Sequence, residues 1–317
     1  MKTVTAIEPK KAGKRELAIL FVLGSVVLLL TATTFMRNMT WLSDLTLWKD
    51  VIRKSPDNVR AHYAIGLFYQ NQENFAEAIR EYQTVLSLDP SYDKARDNLG
   101  VVFGKLGRFE EAKEEFLKVL RQNPLEKAAH SNLGAVYVKQ GRLDDALAEY
   151  RSILESDPAN AAAHYGLGNV YQEMGRLDEA VREYQTVLEF NPDNAEARNN
   201  LGMLYGSRGN WTAAVEEFQA AIRNQPDDTE AYNNLGIVYA KQGRFDDAVG
   251  MFRHALQHGR ENAEIHNNIG LVYRLEGRYE DALAEFQIAL SIDPGHAAAR
   301  SSLEQLSQVL QEKKRAH

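Results

Sequence analysis

The segment NLGAVYVKQGRLDDALAEYRSILESDP, residues 132–158, recurs in altered form along most of the chain. Its Gly134, Ala146 and Pro158 each belong to a series with a spacing of 34 residues or a multiple of it. The glycines are Gly66, Gly100, Gly134, Gly168, Gly202, Gly236 and Gly270. The alanines are Ala78, Ala112, Ala146, Ala180, Ala214, Ala248 and Ala282. The prolines are Pro56, Pro90, Pro124, Pro158, Pro192, Pro226 and Pro294. A fixed period of this length predicts a solenoid of helix–turn–helix units.

Numbering each repeat so that this glycine is position 8 starts the first repeat at Val59. Apolar residues at 7 and 11 then share one face of a first helix, and alanine at 20 with an aromatic residue at 24 share a face of a second helix. We expect glycine at position 8 because a Cβ there would hold the backbones of crossing helices apart. The turn glycine at position 15 supplies left-handed backbone. The first repeat has Glu73-Asn74 at this turn, and we expect asparagine to take that conformation.

These positions resemble the tetratricopeptide repeat (TPR) over residues 59–296, which makes seven repeats. The resemblance implies an all-α, right-handed superhelical solenoid of antiparallel helix pairs that binds protein or peptide partners. Residues 37–58 form a junction and a half-repeat, and residues 297–317 a C-terminal capping helix. We expect the cap to turn four residues inward: Leu303, Leu306, Val309 and Leu310.

The N-terminal part of the chain predicts a membrane anchor. Leu17–Met36 contains no charged residue and, at about 1.5 Å per helical residue, is long enough for a bilayer. Residues 1–16 carry five basic side chains, which predicts a cytoplasmic tail and repeats outside the cytoplasm, in the periplasm if the cell is bacterial. The alternative is a cleaved secretory signal peptide, although the apolar run is long for one.

A second resemblance begins after this segment. Residues 33–69 are similar to the membrane-to-repeat junction of the transmembrane-and-TPR O-mannosyltransferase family and related bacterial TPR membrane proteins. The matching residues are Arg37, Asn38, Trp41, Leu47, Trp48, Pro56, Asn58 and His62. In that family several membrane helices carry the sugar-transfer chemistry, and this chain has one apolar segment. The resemblance therefore implies a membrane setting and, as a further option, a polytopic membrane enzyme as partner.

Composition argues against several functional classes. Residues 55–317 hold 28 basic and 40 acidic residues, which disfavours nucleic-acid binding. The chain has no cysteine and no phosphate loop, nucleophile elbow or zinc-protease motif, so we expect neither an enzyme nor a bound cofactor. We expect no metal site, since His254 and His258 supply only two ligands one turn apart. The other notable histidines occupy position 4, where we expect them to pack between repeats: His62, His130, His164 and His266.

Asparagines mark the surface where a ligand is expected, the concave side lined by first helices. Position 6 holds Asn98, Asn132, Asn200, Asn234 and Asn268, and position 5 holds Asn199, Asn233 and Asn267. A carboxamide both donates and accepts hydrogen bonds, so a row of them can hold an extended chain. The row resembles the asparagine ladder of O-linked N-acetylglucosamine transferase repeats. Alternatively, asparagine at position 6 is simply common in this repeat.

The charge of the residue at position 2 changes from the first repeat to the last. Arg60 and Lys94 come first, and Glu196, Glu230 and Glu264 follow. This predicts a groove that binds the acidic part of a peptide at its membrane-proximal end. A clamp for terminal carboxylates is not predicted, because Ala162 and Gly166 stand where its two basic residues would be.

The sequence therefore predicts a membrane-anchored TPR scaffold that binds protein segments in an extracytoplasmic envelope, secretion or glycan-related complex. The alternatives are a cytoplasm-facing TPR receptor and an accessory subunit of a glycosyltransferase.

Overall fold

A computed structural model describes residues 44–259 and 261–316. These residues form sixteen helices in two compact units, of which one ends at Pro124 and the other begins at Leu125. Unit 1 contains α1 (Asp44–Lys54), α2 (Val59–Asn71), α3 (Phe75–Leu88), α4 (Asp93–Lys105) and α5 (Phe109–Gln122). Unit 2 begins with α6 (Lys127–Lys139), α7 (Leu143–Ser156), α8 (Ala161–Glu173), α9 (Leu177–Phe190), α10 (Ala195–Ser207) and α11 (Trp211–Asn224). It continues with α12 (Thr229–Lys241), α13 (Phe245–His258), α14 (Ala263–Leu275), α15 (Tyr279–Ile292) and α16 (Ala297–Ala316).

The seven helix pairs from α2/α3 to α14/α15 have the lengths that a 34-residue repeat requires. Every first helix has 13 residues and every second helix has 14. A proline follows most second helices, and in the sixth repeat α13 instead ends before Gly259, which is extended. The predicted helix pairs are therefore confirmed in the part of the chain that the structure describes.

The turn within each pair is closed by left-handed backbone at position 15. The six turn glycines have φ between +71° and +79°. In the first repeat Glu73 takes this conformation at φ +56°, and Asn74 has an ordinary φ of −81°. The expectation that asparagine would adopt it was wrong. Register along the helix pair decides which residue is left-handed, and the residue's own preference does not.

Glycine at position 8 makes room for an aromatic ring. A Cβ on Gly202 would lie 2.7 Å from the Phe218 ring, and one on Gly236 would lie 2.7 Å from the Phe252 ring. The remaining position-8 glycines face the ring of their own second helix in the same way. The expectation that backbones approach there was wrong in detail, because the obstruction is a side chain at position 24. Alanine at position 20 is fully buried in all seven repeats.

In five of the seven repeats an arginine at position 16 holds the start of the second helix. The Arg142 guanidinium stacks 4.4 Å from the centre of the Tyr137 ring and bonds to Asp145, and Arg244 stacks 4.0 Å from Tyr239 and bonds to Asp247. The acidic pairs Asp144-Asp145 and Asp246-Asp247 thus lie at helix N-termini and also supply ion-pair partners.

The last helix, α16, caps the C-terminal repeat. Leu306 is buried, and Leu303 and Leu310 pack against the hydrophobic core that repeats five to seven share. Val309 is 41% exposed, so its predicted inward orientation was wrong. None of the helices in the described residues is both long and apolar enough to cross a membrane. The predicted anchor Leu17–Met36, the basic tail and residues 37–43 lie outside the described residues.

Candidate protein-interaction surface

The predicted asparagine row of unit 2 lies on what we call the first-helix face, defined by positions 2, 5, 6, 9, 12 and 13 of the first helices. The carboxamide nitrogens of three position-6 asparagines donate to side chains at position 5 of the preceding repeat. Asn200 donates to the Tyr165 hydroxyl at 3.2 Å, Asn234 to Asn199 Oδ1 at 3.1 Å and Asn268 to Asn233 Oδ1 at 3.1 Å. The row is thus a set of hydrogen bonds that join adjacent repeats.

The ladder ends with an unpaired acceptor. Asn267 is only 5% exposed, and its Oδ1 has no hydrogen-bond partner in the described structure. The next repeat would supply a position-6 asparagine, but the capping helix has Ser302 there.

The row is interrupted at Gly166, where α8 must admit a ring from the third repeat. A Cβ on Gly166 would clash with the Tyr150 ring. Burial raises the pKa of Tyr150. Asn132, the ladder residue of the third repeat, is half-buried on α6.

In unit 1 the same pairing occurs once. Asn98 donates to the Tyr63 hydroxyl at 2.9 Å. Arg60 and Lys94, the predicted basic residues of position 2, are both exposed. The acidic residues of that position, Glu196, Glu230 and Glu264, are exposed in unit 2.

Carboxylates line a polar cavity of about 430 Å³ on the first-helix face of unit 2. Its lining includes Glu196, Asp228 and Glu230, together with Tyr165 and Asn199. Burial raises the pKa of Tyr165, and the negative charges of Glu196 and Glu230 raise it further. Within the described residues none of the three carboxylates forms an ion pair. The cavity therefore favours a positively charged group.

Two apolar cavities lie further along the same first helices. One, of about 380 Å³, is lined by Met203, Gly206, Trp211 and Ile237 among others. The other, of about 230 Å³, is lined by Ile237, Leu271 and Leu275 and bounded by Arg274. Lys241 borders both cavities. Position 9 thus supplies an apolar row in repeats five to seven, which the 34-residue register would have revealed in the sequence.

The position-4 side chains serve the structure rather than a binding site. His62 Nδ1 lies 2.6 Å from Glu81 Oε2 and its Nε2 lies 2.8 Å from the Pro56 carbonyl oxygen. Arg198 makes the equivalent bonds to Glu217 and Pro192. The expected packing between repeats is therefore a polar network that ties both helices of a repeat to the preceding proline turn.

The sixth repeat replaces this network with stacked rings. Tyr232 occupies position 4, and its ring lies nearly parallel to the His254 and His258 imidazoles at 5.4 and 6.4 Å. In the described ranges no three histidine, aspartate or glutamate side chains come close enough to hold a metal ion.

The repeats assign the chain to a family. Residues 71–107 and 93–124 match two models of the tetratricopeptide repeat. Residues 123–317, more than half of the chain, match the TPR domain family described as the C-terminal domain of cilia and flagella-associated protein 70. The chain belongs to this TPR domain family. No curated protein matches the sequence.

Solved TPR structures share the fold of this TPR protein. A tetratricopeptide repeat protein from Parabacteroides merdae is 19% identical and has a TM-score of 0.59, with 82% of this chain and 98% of that chain covered. The APC/C hetero-tetramer Cut9-Hcn1 contains a chain that is 18% identical, with a TM-score of 0.64 and 83% and 52% coverage. Pseudomonas aeruginosa PilF is 21% identical, with a TM-score of 0.59 and 67% and 97% coverage. At these identities the likeness shows the fold alone.

Proposed function

We propose that this TPR protein is a non-catalytic scaffold that binds protein or peptide segments on the first-helix face of unit 2. The observation that carries the proposal is the set of open cavities at repeats four to seven, whose linings include carboxylates, cations and apolar side chains. An extended partner segment can contact the carboxylates, cations and apolar side chains through its own side chains, and no catalytic group is needed for this.

The ladder asparagines are part of this surface in a supporting role. Because their amide nitrogens join neighbouring repeats, they hold the first helices in register beneath a ligand. Replacing them would disturb both the repeat joints and the surface, so they are unsuitable as the only test of binding.

We further propose that Leu17–Met36 anchors the chain in a lipid bilayer, with the repeats outside the cytoplasm. The uncharged length of this segment and the basic residues before it support the proposal. Membrane fractionation and a C-terminal topology reporter test it. A reporter active only in the cytoplasm would favour the receptor orientation instead.

The binding proposal is tested by capturing partners in cells with the full chain. The test variant is Lys241→Glu with Leu275→Glu, two exposed changes on the first-helix face. The matched control is Arg182→Glu with Ile288→Glu, two exposed changes on second helices. We expect captured partners to be lost from the test variant and kept by the control.

Partners that persist in the test variant would contradict this location of the binding surface. Recovery of a polytopic transferase among the lost partners would support the accessory-subunit role in a glycan-related complex.

A further inference from the structure

We infer that repeats five to seven recognise an extended segment carrying a basic, an apolar and an acidic side chain in sequence along the segment. This inference rests on the proposed function, since it names the ligand class of the same face. Three separate features of unit 2 carry it.

The basic side chain fits the polar cavity at the start of the first helices. Glu196, Asp228 and Glu230 line it without ion-pair partners in the described residues. Asn199 also lines it and is 5% exposed; its Oδ1 accepts from Asn234, while its amide nitrogen donates to no described residue. This amide nitrogen is therefore free to donate to a carbonyl oxygen of a ligand. A lysine or arginine side chain together with its own peptide carbonyl would satisfy both the carboxylates and this amide.

The apolar side chain fits the cavities over Ile237. Gly206 borders the larger cavity, and a Cβ there would meet no atom closer than 3.8 Å. Packing therefore does not require glycine at this position, unlike the glycines at position 8. Its missing side chain leaves the cavity open beside Met203, Trp211 and Ile237.

The acidic side chain fits the cations at the far ends of the first helices. Lys241 is exposed and forms no ion pair with a described residue. Arg274 borders the smaller cavity and donates to the Gln305 side-chain oxygen at 3.3 Å, which leaves the rest of its guanidinium available. On α12 and α14 the charges are thus separated, with a glutamate near the start of each helix and a cation near its end.

Helix geometry sets the spacing of the ligand. Glu230 and Lys241 are both on α12, eleven residues apart, which corresponds to about 16 Å along the helix axis. Ile237 lies between them, about 10 Å from Glu230. An extended chain advances about 3.3 Å per residue, so its two charges should be four to six residues apart with the apolar side chain between them.

The third and fourth repeats lack this pattern. Their position 2 holds Ala128 and Ala162, and their position 9 holds Ala135 and Asn169. The specificity is therefore confined to repeats five to seven.

The test uses a random dodecapeptide library selected on the immobilised full chain. We expect enriched peptides to carry a basic and an acidic residue four to six positions apart with Leu, Ile, Met or Phe between them. Opposite-charge contacts at this exposed face should also weaken as salt rises.

Two variants make the test specific. Lys241→Glu should weaken the enriched peptides at least tenfold, and replacing their acidic residue with lysine should restore binding. Gly206→Leu should fill the apolar cavity and weaken binding at least tenfold. The matched control is Gly104→Leu, which occupies position 12 in unit 1, where a Cβ would meet no atom within 4 Å.

Enrichment without this charge pattern, or binding unchanged in Lys241→Glu and Gly206→Leu, would overturn the inference. If those peptides were still lost in the Leu275→Glu variant, the proposed scaffold function would stand and only the ligand class would fall. The charge reversal alters an exposed side chain, and its rescue by the lysine peptide is a gain that misfolding cannot imitate. Absence of any enrichment would also overturn the inference, and partner capture in cells would then decide the proposed function separately.

Discussion

At the scale of single residues, the place of a residue in the repeat determines its backbone conformation. The intrinsic preference of that residue type does not. Glu73 is left-handed because it is position 15, and Asn160 caps α8 by accepting from the Ala163 backbone N–H. Some glycines are likewise required because a Cβ would clash with a ring, as at Gly202, whereas others have room for a side chain, as at Gly206.

Replacing Glu73 with glycine should stabilise unit 1. A non-glycine residue in left-handed backbone costs about 1 kcal/mol or more, so Glu73→Gly should raise the free energy of unfolding by about that amount. Urea unfolding measures the change. Asn74→Gly is the control and should give no gain, because Asn74 is not left-handed. A larger gain in the free energy of unfolding from Asn74→Gly than from Glu73→Gly would contradict the assignment.

Two glycines in α10 should respond oppositely to alanine. Gly202→Ala should destabilise the protein, because the new Cβ would lie 2.7 Å from the Phe218 ring. Gly206→Ala should stabilise it by about 0.5–1 kcal/mol, since alanine is the better helix former and the nearest atom is 3.8 Å away. Thermal unfolding of both variants checks the signs. Equal changes in stability for the two variants would show that the Phe218 ring is not the reason for glycine at position 8.

Tyr184 should make the stability depend on pH in alkaline solution. Burial raises the pKa of Tyr184 above its ordinary value, and its hydroxyl donates to Asn169 Oδ1 at 2.6 Å. The unfolded chain releases this proton near pH 10 while the folded chain retains it, so the free energy of unfolding falls as pH rises above about 10. Tyr184→Phe should cost about 1 kcal/mol at pH 7 through the lost hydrogen bond.

Above pH 10 the deficit of Tyr184→Phe should shrink, because only the wild type loses stability through this phenol. Urea unfolding at pH 7.5 and 10.5 measures both proteins, and groups that titrate in both cancel in the difference. Phenylalanine occupies position 24 in four other repeats, so the ring is accommodated. A deficit that stays constant between the two pH values would be inconsistent with this account.

At the scale of helices, the ladder couples one first helix to the next. Asn234→Ala leaves the buried Asn199 Oδ1 without its donor, which should cost about 1–3 kcal/mol. Adding Asn199→Ala should recover part of that loss, because no buried acceptor is then left unpaired. Hydrogen exchange of α10 and α12 amides locates the effect. Strict additivity of the two substitutions would show that the bond does not join these repeats.

The sequence predicted the helix pairs and their turns because the same pattern occurs seven times in one register. It did not predict the partner of each ladder asparagine. Asn234 meets Asn199 only because adjacent first helices are offset by one position, which is a property of their packing. The period likewise identified Gly236 as special but could not show that the Phe252 ring, rather than a backbone, lies against it.

The proposed binding surface was predicted in part. The asparagine positions were found from their spacing, whereas their mutual hydrogen bonds and the tyrosine acceptors Tyr63 and Tyr165 were not. The apolar position-9 row is readable from the sequence, because Met203, Ile237 and Leu271 are 34 residues apart. The cavities depend on Gly206 and on the gaps between first helices, and these appear only in three dimensions.

At the scale of the whole molecule, two TPR units belong to a chain whose charge is unevenly distributed. Residues 1–54 hold nine basic and four acidic residues, and the rest is acidic. Unit 2 carries the carboxylates, the cations and the apolar cavities on one face. The central claim is that this face, and not the second-helix side, meets the partner.

Site-specific photocrosslinking in cells tests that claim most directly. A benzophenone amino acid is placed at Leu275, which is 63% exposed on the first-helix face, or at Ile288, which is 40% exposed on the second helix of the same repeat. The account predicts discrete crosslinked protein partners from position 275 and none from position 288. Equal partners from both positions, or partners from position 288 alone, would contradict it.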